Sequence, residues 1–241
     1  MKTARRFFVE GTHEIGNVIA IDGSDARKIA RVLRLSPGDR IEIVDSAASA
    51  FAASIASVGR DVRATLLERR VQSWPTALRI DVAQAVPKGR RMDFVVEKGT
   101  ELGASAFLPF YCERGIGRAS AEKLDRWRRI ARASAQQSGR LEVPEVNAPI
   151  RYDALLALFN QYDRVVFAWE LAETSVREAL AAALPGAQRL LLVVGPEGGF
   201  THAEADAAER RGAAMTSLGA RILRTDTAAV ALLAVISAFA S

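Results

Sequence analysis

The 241-residue chain is poor in sulfur, imidazole and lysine. Its one cysteine, Cys112, excludes an intrachain disulfide framework and any cysteine-based zinc site. With only two histidines, His13 and His202, an all-histidine metal centre lacks ligands, so no metal is expected. The longest apolar run, Ala228–Ala240 with Ser237 inside it, is too short to span a bilayer. The basic opening Met1–Glu10 lacks the apolar stretch of a secretion signal. These absences lead to the expectation of a cytoplasmic protein with no membrane partner. Neither a strand-linked G-x-G-x-x-G, a Walker A loop, H-E-x-x-H nor G-x-S-x-G occurs, so no ordinary dinucleotide, P-loop, zinc-protease or serine-hydrolase site is signalled.

What is present is globular: 49% hydrophobic and 25% charged residues, enough for a substantial core. The net charge is +5. Of the 33 basic residues only five are lysines (Lys2, Lys28, Lys88, Lys98, Lys123), and the other 28 are arginines. A planar, always-charged guanidinium suits phosphate recognition, although an ordinary arginine-rich surface has the same composition. The excess is placed: residues 1–72 carry +3 and residues 113–142 carry +4, so the remainder is net acidic.

Two rhythms divide the chain. Up to about residue 72, short β-prone runs (Val18–Ile21, Ile41–Val44, Phe51–Ser57, Val62–Glu68) flank one helix from Ser24 or Asp25 to Leu33, which suggests a small barrel. Trp74-Pro75 reads as a linker. Beyond it, strands predicted at Leu78–Ala85, Ala106–Phe110, Val165–Trp169 and Leu190–Val194 alternate with helices at Arg90–Leu102, Ser120–Gln137, Thr174–Leu184, Thr201–Arg211 and Ala228–Ala240. That alternation argues for a mostly parallel sheet in an α/β domain, 73–241, after a β-barrel domain, 1–72.

Four segments carry chemistry. An apolar strand runs into Gly195-Pro196-Glu197-Gly198-Gly199, and Thr201 with Glu204 forms a capping-box pattern behind it. More glycine than a tight turn needs, at a strand's carboxyl end, reads as a ligand loop. A second loop, Leu218-Gly219-Ala220-Arg221-Ile222-Leu223-Arg224-Thr225-Asp226, puts apolar residues where solvent is expected, with Thr225 or Asp226 as cap for the last helix. The helix Ser120–Gln137 bears Arg126, Arg128, Arg129 and Arg132 around an apolar stripe, either a solvated face or a phosphate-contacting one. Finally, Lys88, Arg90 and Arg91 stand where a strand turns into a helix, a place that favours anions.

Taken together these motifs resemble the 16S ribosomal RNA uracil N3-methyltransferases (RsmE type) of the SPOUT superfamily. Besides the two loops, Arg5-Arg6-Phe7-Phe8, Val32–Leu35 with Gly38-Asp39, Lys88–Asp93 with Thr100–Gly103, and Gln136–Arg140 with Val143-Pro144 fit the pattern. Where the family usually has a glycine-containing turn this chain has Ser46–Ser49, and Asp226 stands where it usually has glutamate. The resemblance implies a PUA-like N-terminal barrel that helps hold RNA, and a C-terminal SPOUT α/β domain with a deep trefoil knot. It implies S-adenosylmethionine as cofactor, bound by Gly195, Pro196, Glu197, Gly198, Gly199, Leu218, Gly219, Ile222, Leu223, Arg224 and Thr225. It implies a homodimer and, as partner, 16S ribosomal RNA or the small ribosomal subunit. Arg224, Glu197 and Asp226 become the candidates for catalysis. Arg5, Arg6, Arg31, Arg34, Lys88, Arg91, Arg114 and Arg140 become the candidates for RNA contact. A knotted methyltransferase for another RNA nucleotide, or a non-enzymatic ribosome assembly factor, would share most of these features.

Overall fold

The computed structural model describes residues 5–70 and 78–240. The chain forms two compact units, Met1–Trp74 with Ala135–Glu142, and Pro75–Ser134 with Val143–Ser241. The linker expected at Trp74-Pro75 lies outside the described residues.

In the first unit, β1 (Arg6–Phe8), β2 (Val18–Ile21), β3 (Arg40–Val44), β4 (Ala50–Val58) and β5 (Val62–Arg70) form one curled sheet in the order β1-β3-β4-β5-β2. Its inner face is packed with Phe7, Ile19, Ile21, Ile41, Ile43, Phe51 and Ile55. The helix expected after β2 is α1 (Gly23–Arg27), which continues as a π-helical turn over Lys28–Val32 and buries Ala26 and Ile29. At the Ser46–Ser49 turn, the buried Asp45 carboxylate accepts from the amides of His13, Ala47 and Ser49, and Ala48 takes φ 56°. Side-chain acceptance of backbone amides does there what a glycine would do.

Arg6 decides how far this unit extends. It is 5% exposed, ion-paired to Glu42 at 2.8 Å, and it donates to the carbonyls of Gly139 and Arg140. Gln136 adds to the tie, donating to Asp25 and accepting from Lys28. The expectation that Arg6 contacts RNA is therefore corrected: its charge is spent on Glu42 and on two carbonyls. Removing either member of a buried ion pair costs about 3–5 kcal/mol, because the other is left uncompensated.

The second unit alternates as expected: β6 (Arg79–Ala85), α2 (Arg91–Glu101), β7 (Ala106–Tyr111), α3 (Ala121–Ser138), β8 (Glu145–Val146), β9 (Ile150–Arg151), α4 (Tyr152–Ala157), β10 (Arg164–Ala168), α5 (Val176–Ala183), β11 (Arg189–Val194), α6 (His202–Glu209), β12 (Ala214–Thr216) and α7 (Thr225–Ala240). All pairings are parallel, in the order β12-β10-β11-β6-β7-β8, with β9 also on β7. One core holds Val95, Val96, Leu180, Leu232, Leu233 and Ile236. Another holds Leu155, Leu156, Phe159, Phe200 and Ala208. A sheet covered on both faces needs strands apolar on both, which is why β11 reads Leu190-Leu-Leu-Val-Val194 without alternation.

The chain leaves β6 toward β7 and later returns on the other side to fill β10 and β11. The crevice outside the carboxyl ends of β6 and β11 is thus the point where strand order reverses, the general ligand position of open α/β sheets.

Gly99 tests the packing of α2. A Cβ there would lie 2.7 and 2.8 Å from two carbons of the buried Phe107 ring. Helix propensity alone makes Gly99→Ala stabilising by about 1 kcal/mol. Overpacking reverses the sign, and we expect a net loss of about 1–3 kcal/mol in urea unfolding.

Candidate functional site

Because the sheet is parallel, the loops after β6, β7, β10, β11 and β12 all leave from one edge. The glycine loop follows β11. Gly199 donates to the Pro196 carbonyl at 3.0 Å and takes φ 66°, which turns the chain back toward the sheet. Phe200 anchors the turn in the core, its ring 4.3 Å from that of Phe167 between centroids. It also dictates Gly195, where a Cβ would come within 2.8 Å of the Phe200 ring. Thr201 and Glu204 then close a reciprocal capping box on α6, as their spacing predicts. Glu204 reaches further and accepts from the amide of Glu113 at 2.8 Å.

The second loop meets the first through a residue that sequence reasoning passed over. Gln84 is fully buried near the end of β6, paired in register with Val194. Its Nε2 donates to Thr225 Oγ1 at 2.8 Å and to the Ala85 carbonyl at 3.0 Å. The Thr225 hydroxyl in turn donates to the Gly195 carbonyl. One amide thereby holds the glycine loop beside the start of α7. A polar residue within an otherwise buried strand was the available signal.

This tie also corrects the cap expected for the last helix. Thr225 spends its hydroxyl on Gly195, so α7 begins at Thr225, three residues before Ala228, and the Ala228 amide bonds the Arg224 carbonyl.

Several charged candidates of this unit, Glu197, Arg91 and Arg114, meet at the glycine loop. Glu197 is ion-paired to Arg91 and accepts from the Lys88 amide at 3.0 Å. Partial burial would push its carboxyl up, but hydrogen bonds from its own amide and that of Lys88, with Arg91, outweigh burial and hold it below the usual range. A carboxylate so held is the weaker proton acceptor and the better suited to orienting a neighbour. Arg91 is engaged by that carboxylate, and Arg114 donates to the carbonyls of Gly198 and Phe200 at 3.3 Å each. Both arginines, candidates for RNA contact, touch the glycine loop. Lys88 is exposed.

In the second loop Leu218 and Leu223 pack against the core, Gly219 takes φ 103°, and Ile222 is 88% exposed. Arg224 is exposed, and Asp226 is half-buried. Among the described residues, Gln84 Oε1, Trp169 Nε1 and Asp226 Oδ1 are buried without a hydrogen-bond partner. All three belong to segments at this same edge.

The other candidates belong to the first unit. Arg5, Arg31 and Arg34 are exposed, Arg34 with φ 51°, while Arg140 is half-buried and gives its carbonyl to Arg6. The basic side chains of α3 are largely spent locally. Arg126 pairs with Asp93, Arg128 with Asp125 and the Val146 carbonyl, and Arg129 bonds the Asp125 carbonyl. That helix is amphipathic rather than a free phosphate-binding face.

Comparison with known proteins agrees with this geometry. A family model described as an RNA methyltransferase domain matches residues 74–237. The ribosomal RNA small subunit methyltransferase E of Bacillus subtilis is 33% identical over 245 residues, spanning 97% of this chain and 96% of that protein. The Mycobacterium bovis protein of the same name is 31% identical over 244 residues, 99% of this chain and 93% of that one. The crystal structure of a ribosomal RNA small subunit methyltransferase E from Neisseria gonorrhoeae, bound to S-adenosyl methionine, matches with a TM-score of 0.89 and 30% identity over 98% of each chain.

Two measurements follow from the site. Gln84→Met leaves Thr225 Oγ1 and the Ala85 carbonyl without the amide that donates to them, and we expect a loss of about 1–3 kcal/mol in urea unfolding. Cys112, near the same edge, has its thiol pushed up to about 12, first by burial and then by Glu204. It is therefore a protonated thiol at neutral pH and no nucleophile. Iodoacetamide at pH 8 is expected to leave it unmodified in the folded protein and to alkylate it after denaturation, as read by intact mass.

Proposed function

The chain belongs to the ribosomal RNA small subunit methyltransferase E family, within the RNA methyltransferases, and from that membership we propose that it methylates N3 of one uridine in 16S ribosomal RNA with S-adenosylmethionine. The observation that carries this reading is the Gln84–Thr225–Gly195 tie, which sets two glycine-bearing loops side by side at the strand-order reversal.

The residues present fit the cofactor. Gly195, Gly198 and Gly199 give this edge a loop with few side chains of its own. Leu218 and Leu223 offer an apolar floor for a purine, and exposed Ile222 an apolar flank. The unpartnered polar atoms of Gln84, Trp169 and Asp226 are groups that a polar ligand could satisfy. In this reading Pro196, Gly219, Arg224 and Thr225 complete the cradle, and the two loops are crossing segments of a trefoil knot.

Bound there, the cofactor supplies an electrophilic methyl group on a sulfonium. The protein's task is to present the uracil nitrogen in line and to dispose of its proton. The Arg224 side chain is exposed just before α7, with no hydrogen bond or ion pair of its own among the described residues, and is free to hold negative charge on the uracil oxygens. Asp226, with one oxygen unpartnered, is the acceptor we assign in preference to Glu197, whose carboxylate is engaged by Arg91 and the Lys88 amide.

Arg5, Arg31, Arg34 and Lys88 are the exposed cations we assign to RNA. We assign a second copy of the chain to the apolar surface of α7, where Phe239 is 63% exposed, and to Phe94 of α2 at 42%. No helix of the described residues is long and apolar enough to cross a membrane.

The test is small-subunit RNA from a strain lacking the gene, incubated with the protein and labelled cofactor. Label on N3 of a uracil is expected, and label elsewhere or none overturns the assignment. Arg224→Ala should keep cofactor binding and lower methyl transfer by about 100-fold or more. Near-normal transfer would remove Arg224 from the mechanism.

A further inference from the structure

The β10–α5 loop brings a carboxylate to the glycine loop that no motif marks. Glu170 follows Trp169, directly after β10, at the edge where the ligand loops gather. A Cβ built on Gly199 would lie 2.4 Å from Glu170 Oε1 and 3.3 Å from Oε2. The carboxylate therefore occupies the space a side chain at position 199 would need. Gly199 itself is favoured by its positive φ, and the absence of a side chain there lets the Glu170 carboxylate lie against the loop.

The two acidic residues at this loop are in opposite conditions. Glu197 is consumed by Arg91 and the Lys88 amide. Glu170 is exposed and has no hydrogen bond or ion pair among the described residues. The nearby guanidinium of Arg114 is directed instead to the carbonyls of Gly198 and Phe200. Glu170 is thus a carboxylate beside the ligand loop whose charge no cation of the described residues engages, and a cation brought by the ligand could pair with it.

We propose that Glu170 binds the α-ammonium group of the cofactor's amino-acid end. The proposal rests on the reading of this edge as the S-adenosylmethionine site. That cofactor carries two cations, a sulfonium and an ammonium. A carboxylate against the sulfonium would stabilise the charge that methyl transfer removes, and so favour the ground state over the transition state. Against the ammonium it holds the molecule without opposing the reaction. The ammonium is also the stronger partner, since it donates hydrogen bonds and a sulfonium does not.

Calorimetric titration of the full chain and of Glu170→Gln separates the alternatives with three probes. S-adenosylmethionine carries both cations, S-adenosylhomocysteine only the ammonium, and 5′-methylthioadenosine neither. The expected result is about tenfold weaker binding of the first two to the variant and unchanged binding of the third. Weakening of S-adenosylmethionine alone would place the carboxylate at the sulfonium and overturn the proposal. Equal weakening of all three, or of none, would also overturn it, the former by showing that the loop itself had moved. Failure of the unmodified protein to bind any probe would instead overturn the cofactor reading, and this inference with it.

Discussion

A fully buried amide is the constraint on which the site depends. Gln84 cannot be solvated, so its hydrogen-bonding groups must be answered from within the protein. Its Nε2 is answered by the Ala85 carbonyl and by Thr225, from a segment 141 residues further along the chain. That necessity turns two loops, each mobile by composition, into one fixed surface. Its Oε1 stays unanswered in the structure as it stands. Such an orphan costs stability, and sites that bind polar ligands are where proteins tolerate the cost.

The arginine surplus takes on a different meaning once partners are known. Arg6, Arg91, Arg114 and Arg126 each serve an internal carboxylate or carbonyl. Arginine rather than lysine is the residue for this, since one planar fork can satisfy several acceptors at once. Arg6 does so with Glu42, Gly139 and Arg140. Less of the arginine charge is therefore free for a polyanion than composition suggested, while exposed Arg27, Arg31 and Arg60 line one pocket of the first unit.

Much of the architecture was legible because periodicity and turn chemistry are local. The alternation after residue 78, the capping box at Thr201 and Glu204, and the all-apolar β11 each announced themselves within a dozen residues. Elements of two or three residues, such as β1, β8 and β9, carry no period to read. The glycine loop was legible as a ligand loop, but what Glu197 does there was not, because Arg91 is 106 residues away in sequence. Glu170 and Trp169 sit in a loop with no motif at all. Their place at the site follows from strand order, which no single segment encodes.

The hold of Arg6 on residues 139 and 140 bears on synthesis. A ribosome that has made all five strands of the first sheet has not yet made the carbonyls that Arg6 is to meet. Until residues 135–142 emerge, that guanidinium has Glu42 but lacks its remaining acceptors, and Asp25 and Lys28 await Gln136. The N-terminal unit is first to be translated yet cannot be first to be finished. Its completion waits on β6, α2, β7 and nearly all of α3, so the nascent chain must carry an open half-structure through the synthesis of Pro75–Ser134 of its second unit.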